Sequence, residues 1–112
     1  MQLEIKKYLL DIQNSILSIE EYLLIINNFK DFQNHKMLRR AVEREIEIIG
    51  EAVNNILKIE TNFPLENARS IVNTRNLVIH AYDSVDEIII WGIIKNHLPK
   101  LKEEVITLLK EN

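Results

Sequence analysis

The sequence predicts an all-α protein, an antiparallel bundle of four main helices in a single domain covering residues 1–112. Apolar residues recur at alternating three- and four-residue steps through most of the chain, which is the spacing of a buried helical face. The sequence is 46% hydrophobic and contains only two Gly and two Pro, which argues against disorder and against a fold with many turns. A chain this short buries a modest core, so oligomerisation is expected.

Helix one is predicted from Leu3 to about Asn27, and it carries two apolar rows. The first row predicts a buried face and comprises Ile5, Leu9, Ile12, Ile16, Ile19, Leu23 and Ile26. The second row repeats every seven residues on roughly the other side of the helix and comprises Leu3, Leu10, Leu17 and Leu24. Two rows need two neighbours. The second neighbour is either another helix of the same bundle or a second subunit.

The composition of residues 27–34 predicts the end of helix one and a short connection. Helix two is predicted from about Lys36 to Ile59. Its predicted buried face comprises Leu38, Val42, Ile46, Ile49, Val53 and Ile56. Its predicted charged side comprises Arg40, Arg44, Glu47, Glu51 and Lys58. Gly50 lies in the helix interior, where glycine costs up to about 1 kcal/mol relative to alanine, so it indicates a close approach of another helix.

Pro64 marks a restart of the chain, and helix three is predicted from about Leu65 to Ala81. Ser84-Val85-Asp86-Glu87 matches a capping box and predicts the start of helix four, which would continue to the C-terminus. Its apolar residues are Trp91, Ile94, Leu98, Leu101, Val105 and Leu108. Pro99 lies inside this helix and predicts a kink or a short break near residues 96–98.

Composition excludes several kinds of function. The absence of cysteine removes disulfides, thiolate metal sites and a cysteine nucleophile. No secretory signal or membrane-spanning run is recognisable, so a cytoplasmic protein without membrane contact is expected. The formal net charge of −3 argues against general nucleic-acid binding, and any RNA contact must therefore be local.

The segment Arg75-Asn76-Leu77-Val78-Ile79-His80-Ala81-Tyr82 concentrates a guanidinium, an imidazole and a phenol. A helical wheel places Arg75 in the middle of the apolar face of helix three, where a charge needs a carboxylate, solvent or a polar cleft. Arg75 and His80 lie about 140° apart on an ideal helix, so one regular helix does not direct both at the same atom. A two-fold interface would bring two copies of each side chain into one cleft.

Such a cleft suits metal-independent RNA cleavage, in which His80 transfers protons and Arg75 stabilises charge at phosphorus. The competing interpretation is structural, with His80 at a helix end, Arg75 in a buried ion pair and Tyr82 in the core; from spacing alone this is the commoner role. Metal catalysis has little support, because His35 and His97 stand apart from carboxylate clusters and the i, i+4 pair Glu47 and Glu51 lacks a histidine. No metal or cofactor is predicted.

The chain resembles the HEPN superfamily, specifically the HepT-like toxins of HepT/MntA toxin-antitoxin pairs, over nearly its whole length. The motif of that branch, Arg-x4-His-x-Tyr with a polar residue after the Arg, stands here at Arg75 to Tyr82. Two further stretches are similar to the family, Ala41 to Ala52 and Val85-Asp86 with Ile90-Trp91 and Leu98-Pro99-Lys100-Leu101.

The resemblance implies a HEPN-like homodimer with facing motifs and a ribonuclease activity that inhibits growth. Arg75 and His80 would be the catalytic pair and Asn76 would position the RNA substrate. A minimal nucleotidyltransferase antitoxin of the MntA type would neutralise the toxin by adenylylating Tyr82, as in a type VII toxin-antitoxin system.

Expected supporting or interface positions are Glu47, Gly50 and Glu51. Two other interpretations stay open. In the first, the chain is a non-catalytic HEPN subunit that binds nucleotide or supports a partner nucleotidyltransferase. In the second, it is a plain helical dimer.

Overall fold

The computed structural model describes residues 1–66, 70, 72–73 and 87–111. Over these residues the chain forms five α-helices with described bounds, and residues 70, 72 and 73 are also helical. None of the described residues lies in a β-strand, which confirms the predicted all-α class. The helices are α1 (Leu3–Tyr22), α2 (Phe29–Asn34), α3 (Lys36–Ile59), α4 (Glu87–Asn96) and α5 (Leu98–Lys110). A 3₁₀ turn, Leu23–Ile25, follows α1.

The core lies mainly between α1 and α3, and α5 packs on α1 and α4. Most predicted apolar positions are buried, which confirms the helical period read from the sequence. The buried apolar side chains of α1 and α3 are Ile5, Leu9, Ile12, Ile16, Ile19, Leu38, Val42, Ile46, Ile49, Ala52, Val53 and Ile56. These two helices therefore form the scaffold on which the shorter elements are arranged.

The first helix is shorter than predicted. It ends as an α-helix at Tyr22, and the chain becomes extended at Ile26, with φ −109° and ψ 125°. Leu23 and Ile26 nonetheless pack against the core, so the apolar spacing continues beyond the helix that it was taken to define. The expected end near Asn27 was therefore wrong because core contact, rather than helical backbone, maintains the pattern at these positions.

A second helix occupies the segment predicted as a connection. The side chain of Asn28 accepts a hydrogen bond from the backbone N–H of Asp31 at 2.9 Å, which caps α2. Phe32 is fully buried, and its ring centroid lies 5.2 Å from that of Trp91 on α4. Six residues are too few to show a helical period, and a helix this short depends on tertiary packing for its stability.

The long helix α3 has the predicted bounds, Lys36–Ile59. His35 precedes it, and its Nδ1 accepts a hydrogen bond from the N–H of Leu38 at 3.2 Å, which makes this histidine a helix cap. The predicted charged side is largely confirmed, since Arg40, Arg44 and Lys58 are exposed.

The predicted break in the last helix is confirmed. His97 separates α4 from α5, and Pro99 lies in the first turn of α5, where its missing N–H has no partner to lose. Helix three begins later than predicted, because Leu65 and Glu66 are not helical while Ser70, Val72 and Asn73 are. The other positions of predicted helix three, 67–69, 71 and 74–81, and positions 84–86 of the predicted capping box lie outside the described residues.

The leucine row of α1 is exposed, and none of the other described helices, which lie within residues 23–59 and 87–110, covers it. Its members are exposed by 83%, 42%, 47% and 81% for Leu3, Leu10, Leu17 and Leu24 respectively. These exposures favour the interpretation in which the row meets a second subunit, and that interpretation stays a prediction. None of the described helices combines the length and apolar character needed to cross a bilayer.

One hydrogen bond between α1 and α3 changes the pKa of a tyrosine. The phenol of Tyr22 donates to Oε2 of Glu45 at 2.8 Å, and this bond to a carboxylate, with desolvation and the negative charge of Glu45, raises the pKa of Tyr22. The hydrogen bond contributes fully to the stability of the folded state below the ordinary tyrosine pKa of about 10. This contribution is lost as the pH rises through the higher pKa of Tyr22 in the folded state.

We expect Glu45→Gln to lower the pKa of Tyr22 towards its ordinary value, because the amide carries no negative charge. The change should appear in an ultraviolet titration of the phenolate, with Tyr22→Phe identifying which of the three tyrosines responds. An unchanged titration in Glu45→Gln would contradict the assignment of the shift to Glu45.

Candidate functional site

The motif residues Arg75, Asn76, His80 and Tyr82 lie outside the described residues. What the structure describes is the chain on both sides of the motif. The last described residue before it is Asn73, and the first one after it is Glu87. The contacts of these two flanks indicate how the segment is attached to the bundle.

The flank before the motif is attached through residues 63–66. Phe63 and Leu65 are buried, with 8% and 6% of their surface exposed. The backbone N–H of Glu66 donates to Oε2 of Glu104 on α5 at 2.7 Å, a short hydrogen bond to a charged acceptor. Two apolar side chains and one strong hydrogen bond therefore fix the chain to the core shortly before helix three.

The flank after the motif is attached by an ion pair. Nη1 of Arg39 on α3 lies 3.3 Å from Oε1 of Glu87, and the two side chains are only 17% and 16% exposed. Nε of Arg39 is buried without a hydrogen-bond partner among the described residues, so this nitrogen takes no part in binding Glu87. The pair joins the start of α3 to the first residue of α4.

Sequence reasoning singled out Arg40 and Arg44 on α3 and overlooked Arg39. A signal for Arg39 was present, because it precedes Ile46 by seven residues and lies within about 20° of that buried side chain on a helical wheel. An arginine so close to the buried face needs a partner. Its partner, Glu87, is distant in sequence and could not be identified from spacing.

The three predicted supporting positions differ in their surroundings. Gly50 is buried, Glu47 is half-buried and Glu51 is exposed, and neither carboxylate forms an ion pair with another described residue. Glu51 borders a shallow polar cleft between α1 and α3 that also includes Lys7 and Tyr8. Among the described residues, no three His, Asp or Glu side chains are grouped so that they could hold a metal ion.

Comparisons with known proteins identify the family. The family model described as "Ribonuclease HepT-like" matches residues 12–108, a range that includes the motif and both attached flanks. A protein of Methanocaldococcus jannaschii, provisionally described as an RNase, is 39% identical over 105 residues, which are 91% of this chain and 94% of the relative. A protein of Thermococcus cleftensis, provisionally named ribonuclease HepT, is 39% identical over 101 residues, covering 87% and 88%.

A longer M. jannaschii protein, whose name joins gamma-glutamylcyclotransferase to a provisional RNase, is 36% identical over 112 residues. This match covers 99% of this chain and 50% of that protein. No solved structure matches the chain. The extent of the family match, together with relatives of nearly the same length, shows that this chain belongs to the HepT-like ribonuclease family of the HEPN superfamily.

Proposed function

We propose that this chain is a metal-independent endoribonuclease and the toxin of a toxin-antitoxin pair, with Arg75 and His80 as its catalytic residues. The observation that carries the proposal is the family match over residues 12–108, which spans Arg75 to Tyr82. Seven curated relatives match, and all seven names contain the term RNase or ribonuclease.

The proposed reaction uses only groups of the protein and the RNA. Neutral His80 takes the proton of a ribose 2′-hydroxyl, and the resulting oxygen attacks the adjacent phosphorus. The bond from phosphorus to the 5′-oxygen breaks, and this oxygen receives a proton from a protonated histidine. The products are a 2′,3′-cyclic phosphate and a free 5′-hydroxyl. Arg75 stabilises the negative charge on the phosphorane, and Asn76 positions the RNA.

A homodimer with facing motifs would complete this site. Arg75 and His80 diverge by about 140° on an ideal helix, so convergence on one phosphate is easiest between two copies of the motif. The chain has 14 basic and 17 acidic residues, and its cations must therefore be concentrated where RNA binds. A cleft shared by two chains doubles the number of guanidinium and imidazole groups available.

The first test replaces His80 by Ala in the isolated protein. We expect RNA cleavage and growth inhibition to fall at least about a hundredfold, because acid-base catalysis typically contributes about 10²–10⁴-fold. The matched control is His35→Asn, since asparagine also caps helices well and His35 serves as the cap of α3. The control should retain full activity.

Cleavage that survives His80→Ala would exclude the catalytic assignment. If the unmodified protein cleaves no RNA, and a partner nucleotidyltransferase loses activity without it, the chain is instead a non-catalytic HEPN subunit.

Regulation by a minimal nucleotidyltransferase antitoxin of the MntA type is the second part of the proposal. Transfer of adenylate from ATP to the phenol oxygen of Tyr82 would release pyrophosphate and place a phosphodiester two residues from His80. The added negative charge would compete with RNA for the cation of Arg75, and the added bulk would obstruct the cleft.

The purified protein, incubated with ATP, magnesium and the partner enzyme, should gain the mass of one adenylate group per modified chain. We expect Tyr82→Phe to abolish this gain in intact mass spectrometry, while Tyr8→Phe and Tyr22→Phe retain it. An equal gain in Tyr82→Phe would show that another residue is the acceptor.

The attachment of the motif by Arg39 and Glu87 can be tested with two neighbouring substitutions. Arg39→Met leaves Glu87 without its cation in a largely buried position, and we expect a loss of about 1–3 kcal/mol in the free energy of unfolding together with reduced RNA cleavage. Arg40→Met, which removes a guanidinium from an arginine whose side chain is 70% exposed and pairs with Glu43, should cost no more than about 1 kcal/mol. Denaturant unfolding and cleavage assays on both variants provide the comparison. Equal effects would show that the ion pair does not attach the motif.

A further inference from the structure

The exposed leucine row of α1 is bordered by charges that change sign along the helix. On one border, three or four residues from the leucines, lie Lys6, Gln13 and Glu20. On the other border lie Lys7, Asn14 and Glu21. The row is therefore basic at its start, neutral at its centre and acidic at its end, on both sides.

Two copies of this order of charges are complementary when they run in opposite directions, because the basic end of one copy then lies beside the acidic end of the other. If a second copy of α1 lies antiparallel, with a two-fold axis between Gln13 and Asn14, then Leu10 faces Leu17 of the other copy. On the first border Lys6 then faces Glu20, and on the second border Lys7 faces Glu21. The amides meet their own symmetry mates near the axis. An interface of this kind is isologous, since the same patch serves both chains.

In a parallel arrangement of the same two helices the charged borders are not complementary. In register, a two-fold axis parallel to the helices brings the first border of one copy against the second border of the other, which places Lys6 against Lys7 and Glu20 against Glu21. Like charges in these flanking positions disfavour an arrangement, while opposite charges set the orientation of paired helices. The charges on α1 therefore favour the antiparallel orientation.

Some of these charged side chains have no ion-pair partner among the described residues of their own chain. Lys6 and Glu21 form no ion pair with another described residue. Lys7 lies 3.7 Å from Asp11, and the lysine side chain is 71% exposed, so that contact is weak. Glu20 is already held by Lys102 of α5 at 2.8 Å. The border formed by Lys7 and Glu21 is thus the one more available to a partner.

We propose that the exposed face of α1 is the surface through which a second copy of this chain binds, with the two α1 helices antiparallel about an axis beside Gln13 and Asn14. Pairing removes the leucine row from water, which is the main favourable contribution, and the charged borders set direction and register. The proposal uses α1 alone and does not depend on the ribonuclease activity.

The first test uses cysteine cross-linking, because the chain has no cysteine of its own. Leu10→Cys and Leu17→Cys alter exposed positions and are expected to fold. In the antiparallel pair residue 10 faces residue 17 of the other copy, whereas two copies of residue 10 are offset by about 10 Å along the helices. A disulfide requires Cα atoms within about 7 Å, so only the mixture of the two variants should form a disulfide-linked dimer under mild oxidation.

Cross-linking of Leu10→Cys with itself to the same extent as in the mixture would show a parallel arrangement and overturn the proposal. A protein that remains dimeric by sedimentation but gives no cross-link in the mixture would show that another face mediates association. That second result would exclude the α1 interface and leave the proposed dimer of facing motifs standing.

The second test exchanges charge at a matched pair. Lys7→Glu alone and Glu21→Lys alone each place like charges together at both ends of the interface. We expect the dissociation constant of the step that joins two α1 surfaces, whether it joins single chains or dimers of facing motifs, to rise roughly tenfold in each variant. It should return to its original value in an equimolar mixture, in which every pair is again opposite. Analytical ultracentrifugation measures all three samples. A mixture that associates no better than either variant alone would overturn the proposed register.

Discussion

The packing of α1 against α3 is the constraint on which the rest of the described structure depends. Leu9, Val42 and Val53 are completely removed from solvent, and burial of apolar surface of this kind is the main favourable contribution to folding. α3 then carries Arg39, which binds Glu87, and α5, packed on α1, carries Glu104, which binds the backbone at Glu66. The chain on either side of the motif is therefore attached to the core by two polar contacts.

These two contacts hold the residues that flank the proposed catalytic segment of an acidic helical protein. The net charge of −3 argues against a diffuse positive surface, so the proposed RNA contact would depend on a few cations brought together. The charged borders of α1 contain both signs in equal number, so the proposed pairing of two α1 helices would add no net charge to the interface.

Much of the fold follows from the spacing of apolar residues, as the bounds of α3 show, while the break at His97 follows from Pro99. The spacing failed where packing and backbone conformation separate, at Leu23 to Ile26, and where a helix was too short to show a period, at α2. The sequence correctly placed Glu47, Gly50 and Glu51 on α3. It did not indicate the pairs that Arg39 forms with Glu87 and Tyr22 forms with Glu45, because the partners lie far apart in the sequence. Such pairs depend on the relative placement of helices, which no local pattern encodes. The motif itself was recognised from residue types and family likeness rather than from geometry.

The most direct test of the central claim is the chemical identity of the RNA ends produced by the isolated protein in the presence of a metal chelator. Attack by the ribose 2′-hydroxyl predicts fragments that end in a 2′,3′-cyclic phosphate and fragments that begin with a 5′-hydroxyl, formed equally well with and without the chelator. Fragments with a 3′-hydroxyl and a 5′-phosphate, or cleavage abolished by the chelator, would contradict a mechanism that uses only Arg75, His80 and the RNA.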